Sequence, residues 1–137
     1  MTEVIFVDTF AWVAVINKSD NYHKICLKTL KLFLREKVKF ITTNYVIIET
    51  INALSKIEFR KSVIGFINKL EKSPSVEIIK ITDEIYNNAW ILYQKRTDKD
   101  WGITDCTSFE VMRILNIKKA FTFDRHFEQA SYSLVLK

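Results

Sequence analysis

The feature that most constrains this chain is a run of four large apolar residues, 4–7, which ends on the carboxylate of Asp8. Runs of this kind, rich in β-branched and aromatic residues, are typical of strands buried on both faces of a parallel sheet. In such sheets, ligands bind beyond the carboxyl ends of the strands. Asp8 is therefore predicted to stand at the edge of a sheet where a functional site would form.

Segments with strand character alternate with segments of helical periodicity along the rest of the chain. Further strands are predicted over 39–42, 76–81, 119–123 and 132–136, and helices over 22–37, 44–57, 60–72, 83–95 and 103–115. Residues 9–16 are predicted to form a short buried helix or a turn that leads off the first strand. Thr42 or Thr43 and Thr82 are predicted to cap the helices that follow them. The alternation indicates an α/β fold with a mainly parallel sheet. The length of 137 residues, without a linker or repeat, fits a single domain over 1–137.

The composition excludes several classes of protein. Hydrophobic residues make up 48% and charged residues 27% of the chain, which is a globular composition. No stretch reaches the roughly 18 apolar residues of a membrane helix, and the N-terminus has no secretory signal. We therefore expect a reducing, cytoplasmic location, with Cys26 and Cys106 as buried thiols. The net charge of +5 suits an anionic partner such as nucleic acid.

Asp8 and Asp124 share one pattern, in which a carboxylate follows an apolar strand and precedes a helical segment. Capping of the following helix is the simpler role for either residue taken alone. Two parallel strands that end in this way meet at one edge of the sheet. The repeated pattern therefore shifts the prediction from two caps towards one site.

Asp105 and Glu49 lie within predicted helices. Asp105 shares the apolar face of its helix with Phe109 and Met112, so it should point towards the core and need a cationic partner, unless it serves the amides of the first turn. Glu49 occupies the narrow polar face of a helix that is otherwise apolar and therefore predicted to be largely buried. This polar face is consistent either with a solvated stripe or with an opening onto a cleft.

Four carboxylates at one sheet edge would need cations among them. Two unit charges 4 Å apart repel by about 4 kcal/mol at an effective dielectric near 20. Oxygen ligands select Mg²⁺ or Mn²⁺, whereas His23 and His126 form no ligand-spaced pair for zinc. One or two such ions could activate water for phosphodiester hydrolysis. With only Gly65 and Gly102, the chain has no glycine-rich phosphate loop, and Gly-x-Ser-x-Gly is absent.

These motifs, in this order, resemble those of the PIN domain family, and the size of the chain is similar to the stand-alone VapC toxin type. The segments that carry the resemblance are Val7-Asp8-Thr9, Glu49 on the helix after Thr42-Thr43, Thr104-Asp105-Cys106 at the start of a late helix, and Thr122-Phe123-Asp124. The most specific segment is 98–106. Together the motifs span nearly the whole chain.

The resemblance implies a metal-dependent endoribonuclease built as a Rossmann-like, three-layer α/β/α sandwich. Its catalytic cluster, which binds Mg²⁺ or Mn²⁺, would consist of Asp8, Glu49, Asp105 and Asp124. Many family members are homodimers and are toxins held inactive by an antitoxin, so the resemblance also implies an RNA substrate and these two protein partners.

Other residues near the four acids are candidates for supporting roles. The family places a hydroxyl residue beside the last acid, which matches Thr122, and Asp98 or Asp100 lies near enough to be a further ligand or an outer group. Arg96, Lys99, Arg125 and His126 flank the acids and could neutralise phosphates. Trp101 could stack on a base, although a core or lid contact is the plainer role.

Three other functions are weighed against the toxin. A PIN nuclease of RNA maturation or decay would have no antitoxin. A noncatalytic nucleic-acid-binding module would keep the fold, but the presence of all four acids argues against it. A phosphoacceptor protein that uses Asp8 would need an acidic pair earlier in the chain, where Glu3 is the only acid.

Overall fold

The computed structural model describes residues 2–136, which contain one five-stranded sheet. Its strands are β1 Val4–Val7, β2 Lys39–Thr43, β3 Val76–Ile79, β4 Lys119–Phe121 and β5 Ser133–Leu134. The strand order is β3-β2-β1-β4-β5, and every neighbouring pair is parallel. β1 lies at the centre, as its uninterrupted apolar run predicts.

Helices connect the parallel strands, because a parallel pair needs a crossover connection. They are α1 Thr9–Ile16, α2 His23–Arg35, α3 Asn44–Ala53, α4 Ile57–Lys72, α5 Asp83–Lys95, α6 Ile103–Ile114 and α7 His126–Gln129. The predicted α/β class is confirmed, and the arrangement is that of a three-layer α/β sandwich. No helix within the described chain has the length and apolar character needed to cross a bilayer.

The central strand is buried on both faces, as predicted. Ile5, Phe6 and Val7 are fully inaccessible to solvent. Beside them, the buried Thr42 hydroxyl donates to the Val7 carbonyl oxygen at 2.9 Å and accepts from Trp12 Nε1 at 3.1 Å. Thr42 is thus part of the core, which leaves the capping role to its neighbour.

The helix caps follow the sequence prediction. Thr43 Oγ1 accepts a hydrogen bond from the Val46 amide at 3.0 Å and caps α3. Thr82 Oγ1 accepts from the Ile85 amide at 3.2 Å and caps α5. Cys26 is a buried free thiol, as expected for a reduced protein.

Several predicted elements differ in their bounds from the observed ones, and at the ends of β3 and β4 a side chain takes over a backbone hydrogen bond. β3 ends at Ile79, and the amide of Ile81 donates to Asn44 Oδ1 at 2.8 Å instead of to a strand. β4 ends at Phe121, where a turn held by Thr122 begins. β5 is only two residues long. The helix predicted over 44–57 ends at Ala53, and α4 begins earlier than predicted.

The prediction that the helix carrying Glu49 is largely buried is wrong. α3 buries Val46, Ile47 and Thr50, whereas Ile48 is 53% exposed. The strongly apolar sequence of this helix therefore reflects one face in the core and a second apolar face open to solvent. Its polar stripe lies on the surface of the protein.

Candidate active site

The carboxyl ends of β1 and β4 lie side by side, with Val7 paired to Phe121, and each strand is followed by an acid. The hydroxyl of Thr122 connects these two acids. It donates to Asp8 Oδ2 at 3.0 Å and accepts from the amide of Asp124 at 3.0 Å. The parallel pairing therefore brings together two strand ends that are more than a hundred residues apart in sequence.

Asp8 is 4% exposed, and its carboxylate is buried with little compensation. It occupies the N-cap position of α1, but its side chain makes no capping hydrogen bond, so the simpler capping role is not found. Burial, followed by the negative charge of Asp105, raises the pKa of Asp8 to about 7. A carboxyl group whose pKa is raised by burial and by neighbouring negative charges indicates a place where a bound cation would stabilise the ionised form.

Asp105 projects from the first turn of α6, where it has the simpler of the two roles predicted for it. Its Oδ2 accepts a hydrogen bond from the Gly102 amide at 3.1 Å, which serves the helix start. The same oxygen lies 2.9 Å from His126 Nδ1, so the partner of this half-buried acid is an imidazole. Burial raises the pKa of Asp105.

Asp124 also serves a helix start. Its Oδ1 accepts from the His126 amide at 2.9 Å, at the beginning of α7. Through this short turn, the imidazole of His126 folds back so that Nδ1 lies 3.4 Å from the same oxygen. One ligand atom from each of Asp105, Asp124 and His126 lies within 4.8 Å of the other two, which is a spacing that could hold a metal ion.

The position of His126 was not anticipated as part of the acidic cluster. The sequence places it two residues after Asp124 and predicts a phosphate contact because it flanks the acids, whereas the lack of a second histidine at ligand spacing argues only against a zinc site. The structure adds one nitrogen donor to the oxygen donors of the two acids. The signal that could have found it is its place in the helical turn directly after a strand-end acid.

Glu49 lies at the rim of this cluster. It is exposed, and its Oε1 accepts a hydrogen bond from Thr9 Oγ1 at 2.6 Å. Thr9 directly follows Asp8, so this bond ties α3 to the end of β1. Glu49 and Thr104, the residue before Asp105, also line one surface cavity of about 310 Å³. The polar stripe of α3 therefore faces the region of the cluster from outside it.

Asp98 and Asp100, the two acids of the 98–100 loop, lie apart from the carboxylate cluster. Both oxygens of Asp98 are bonded to Arg96, at 2.9 and 3.0 Å, and this guanidinium holds the pKa of Asp98 at about 2. Asp100 is exposed. Within residues 2–136, neither acid contacts the carboxylate cluster, and Lys99 forms no ion pair.

The suggested base-stacking role of Trp101 needs correction. The ring is 6% exposed, packs against Phe109 at 5.0 Å between centroids, and donates from Nε1 to Gln129 Oε1 at 3.0 Å. A buried ring cannot offer a face to a nucleotide, so the plainer core role holds. Arg125 is 82% exposed and pairs with Glu128 at 2.8 Å.

Among the described residues, the group at metal-ligand spacing consists of Asp105, Asp124 and His126; two of the four predicted acids, Asp8 and Glu49, lie outside it. Asp8 is joined to this group by its hydrogen bond with Thr122 and by its charge interaction with Asp105 and Asp124. In the described part of the chain, no lysine or arginine forms an ion pair with Asp8, Asp105 or Asp124, and His126 alone could offset their charge. Carboxylate oxygens are ligands that Mg²⁺ and Mn²⁺ accept, and an imidazole nitrogen extends the set. The arrangement is therefore a candidate metal site at the carboxyl edge of the sheet.

Known proteins with similar sequences and folds include nucleases. The family model described as the PIN domain matches residues 5–131. A curated relative, the 23S rRNA-specific endonuclease VapC20 of Mycobacterium tuberculosis, is 27% identical over 129 residues, covering 94% of this chain and 95% of the relative. The crystal structure of M. tuberculosis VapC20, described as a sarcin-ricin loop cleaving toxin, has a TM-score of 0.82 at 26% identity and covers 93% of this chain and 95% of its own.

Two more distant structures share the fold. VapBC2 from Rickettsia felis, solved bound to a DNA fragment from their promoter, has a TM-score of 0.69 at 16% identity and covers 96% of each chain. FitAcB from Neisseria gonorrhoeae has a TM-score of 0.64 at 17% identity and covers 95% of each chain. Both matches extend over nearly the whole sheet and its helices.

Proposed function

Because the chain belongs to the PIN domain family, we propose that it is a divalent-metal-dependent endoribonuclease and the toxin of a toxin–antitoxin pair. The observation that carries the proposal is the convergence of Asp8, Asp105 and Asp124 at the carboxyl edge of the sheet, with no ion-pairing lysine or arginine among the described residues. Such a cluster is suited to metal-assisted hydrolysis of a phosphodiester.

Asp8, Asp105 and Asp124 would hold Mg²⁺ or Mn²⁺, with Glu49 at the rim. When bound, the cation supplies Lewis-acid stabilisation of the phosphoryl oxygens and lowers the pKa of a coordinated water. The chain itself orients these acids. The Thr122 hydroxyl fixes Asp8 Oδ2 and holds the turn that carries Asp124.

His126 has a positioning role in this proposal. Its imidazole lies between Asp105 and Asp124, and a protonated ring would reduce the repulsion between the two carboxylates. The Gly102 amide holds the same Asp105 oxygen from the other side. These bonds keep the acids together when no cation is present, and His126 Nδ1 remains a candidate donor to the metal.

The substrate class follows from the relatives. VapC20 is described as acting on 23S rRNA and on its sarcin-ricin loop, so ribosomal RNA is the first substrate to test. A toxin needs a partner, and we propose a small antitoxin together with a homodimer, both implied by the family resemblance. A cytoplasmic location belongs to the same proposal. A small DNA-binding protein encoded by the neighbouring reading frame would distinguish a toxin from a nuclease of RNA maturation or decay.

The proposal is tested by incubating purified ribosomes and naked ribosomal RNA with the protein in Mg²⁺, Mn²⁺ or EDTA. The variants Asp8→Asn and Asp105→Asn keep the side-chain shape and remove the charge. Asp98→Asn is the matched control, because Asp98 is an exposed acid engaged by Arg96. We expect metal-dependent cleavage in the wild type and the control, and its loss in the other two variants. Cleavage that survives both substitutions or EDTA contradicts the proposal.

A further inference from the structure

The positive charge of this protein is concentrated on one helix. α2 carries Lys24, Lys28, Lys31 and Arg35, which we call the α2 basic stripe, and contains no acidic residue. Removing these four from the 21 basic residues of the chain leaves 17 against 16 acidic ones. The rest of the chain is therefore almost neutral, and α2 supplies four of the five net charges.

The stripe faces solvent. At about 100° per residue, its four side chains fall within a sector of about 60° on the helix surface. On the opposite side, Cys26 is fully buried, and Leu30 and Phe33 pack against the core. All four basic residues are exposed. The packing of α2 thus fixes the outward direction of the charged row.

No acidic residue lies within α2, and the exposed Glu36 that follows Arg35 forms no ion pair with the stripe among the described residues. An ordinary solvated surface mixes both signs of charge. Elsewhere, Arg96, Arg113 and Arg125 each pair with a carboxylate. None of the residues described, 2–136, forms an ion pair with a member of the α2 basic stripe. Its charge is therefore available to an anion from outside the chain.

The helix that carries the stripe begins near the edge of the sheet that carries the acids. Tyr22, immediately before α2, packs against Phe123 at 5.0 Å between ring centroids, and Phe123 precedes Asp124. At the other end of α2, the Val38 amide donates to the Phe33 carbonyl just before β2 begins. The row of charges extends about 16 Å along the helix. It runs from the edge that carries the acids towards the opposite edge of the sheet.

We propose that the α2 basic stripe binds phosphates of the RNA strand that flanks the cleavage site, an inference that rests on the proposed function. A carboxylate cluster repels a phosphate backbone, so affinity for RNA must come from another surface. The arginines nearest the cluster are occupied, since Arg125 pairs with Glu128 and Arg96 with Asp98. Among the described residues, the α2 basic stripe is a row of four cationic side chains without ion pairs, and its helix begins beside Phe123, which precedes Asp124.

The proposal has a measurable electrostatic signature. For single strands, the slope of log K against log salt changes by about 0.7 for each phosphate neutralised. Removal of three stripe charges should therefore reduce the magnitude of the slope by about 2. Uncharged or apolar contacts would leave that slope unchanged.

The test compares two triple variants with equal loss of charge. Lys24→Gln, Lys28→Gln and Lys31→Gln remove most of the stripe, whereas Lys61→Gln, Lys69→Gln and Lys72→Gln on α4 are the control, because these lysines are also exposed on a helix. Binding of a fluorescent single-stranded RNA of about 16 nucleotides is followed by anisotropy in EDTA. The salt range runs from about 50 to about 200 mM KCl.

We expect the stripe variant to bind at least tenfold more weakly in low salt and to show the reduced slope, with the control within about threefold of the wild type. Equal affinities and slopes in the two variants overturn the proposal and leave an acidic protein segment as the partner of α2. Circular dichroism checks the fold, and lysine and glutamine have similar helix propensities.

A cleavage assay separates this proposal from the proposed function. If no RNA is cut but the stripe variant alone loses binding, the nuclease proposal fails and the RNA-binding surface stands. If ribosomal RNA is cut by the wild type and the stripe variant with equal KM, the nuclease stands and the stripe proposal fails. We expect KM to rise in the stripe variant, with kcat little changed.

Discussion

Replacing Asp8 by asparagine should stabilise the protein in the absence of metal, although the same change should abolish its activity. The Asp8 carboxyl is 4% exposed, and its burial, followed by the nearby charges of Asp105 and Asp124, raises its pKa to about 7. Its ionised form is therefore unfavourable in the folded protein. Asparagine keeps the shape and can still accept the hydrogen bond from Thr122.

The magnitude follows from the pKa of Asp8, which rises from its ordinary value of 3.8 to about 7 in the folded protein. One unit of pKa corresponds to about 1.4 kcal/mol, so complete ionisation costs the folded state at most about 4 kcal/mol. Relaxation around the buried charge lowers this cost, and we expect a gain of about 1 to 4 kcal/mol for the variant at alkaline pH.

The stability difference between Asp8→Asn and the wild type should depend on pH. Between the two pKa values of Asp8, the folded state binds more protons than the unfolded state, so the wild type loses stability as the pH rises from about 4 to about 7. The stabilising contribution of the protonated carboxyl is complete below the lower value and lost above the higher one. The advantage of Asp8→Asn should therefore grow across this interval and stay constant above it.

The assay is urea denaturation of both proteins in EDTA at several pH values, followed by circular dichroism. Asp98→Asn is the control, since Asp98 is exposed and its pKa is lowered to about 2 by Arg96, which gives no loss of stability in this interval. A variant that is less stable than the wild type at every pH, or a difference that does not change with pH, would refute the reasoning.

Three further predictions concern metal binding and packing. Mg²⁺ or Mn²⁺ at 100 times its Kd should raise the unfolding free energy of the wild type by about 2.7 kcal/mol and leave Asp8→Asn unchanged, as measured by denaturation with and without the ion. Thr122→Val removes the hydroxyl between Asp8 and Asp124, and calorimetry should show metal affinity reduced by about 10- to 100-fold. Trp101→Ala should destabilise the protein by about 3 to 5 kcal/mol in urea, because the ring is core. A loss of RNA affinity at unchanged stability would instead restore its stacking role.

The sequence predicts the structure well where one residue pattern determines both the local conformation and the position of the segment in the sheet. The run 4–7 can only be buried on both faces, and this places Asp8 at the edge of a parallel sheet beside the strand that ends before Thr122. Thr43 and Thr82 are found as caps for the same reason, since capping is a local interaction. The sequence alone therefore predicts that Asp8 and Asp124, which follow two strands, lie at the same edge of the sheet.

Other features depend on contacts that no local pattern encodes. His126 reaches Asp105 only because α7 folds back onto the start of α6, and the spacing of histidines in the sequence carries no trace of this. Trp101 is buried between Phe109 of the adjoining α6 and Gln129, which comes from 28 residues further along the chain. The apolar sequence of α3 indicates burial, yet Ile48 is open to solvent, since apolar residues also form surfaces.

The most direct test of the account is calorimetric titration of Mn²⁺ into the metal-free wild type, Asp8→Asn, Asp105→Asn and the control Asp98→Asn. The account predicts saturable binding to the wild type and the control, and its loss in the two variants of the cluster. Equal binding to all four proteins would show that the acids at the sheet edge do not form the metal site.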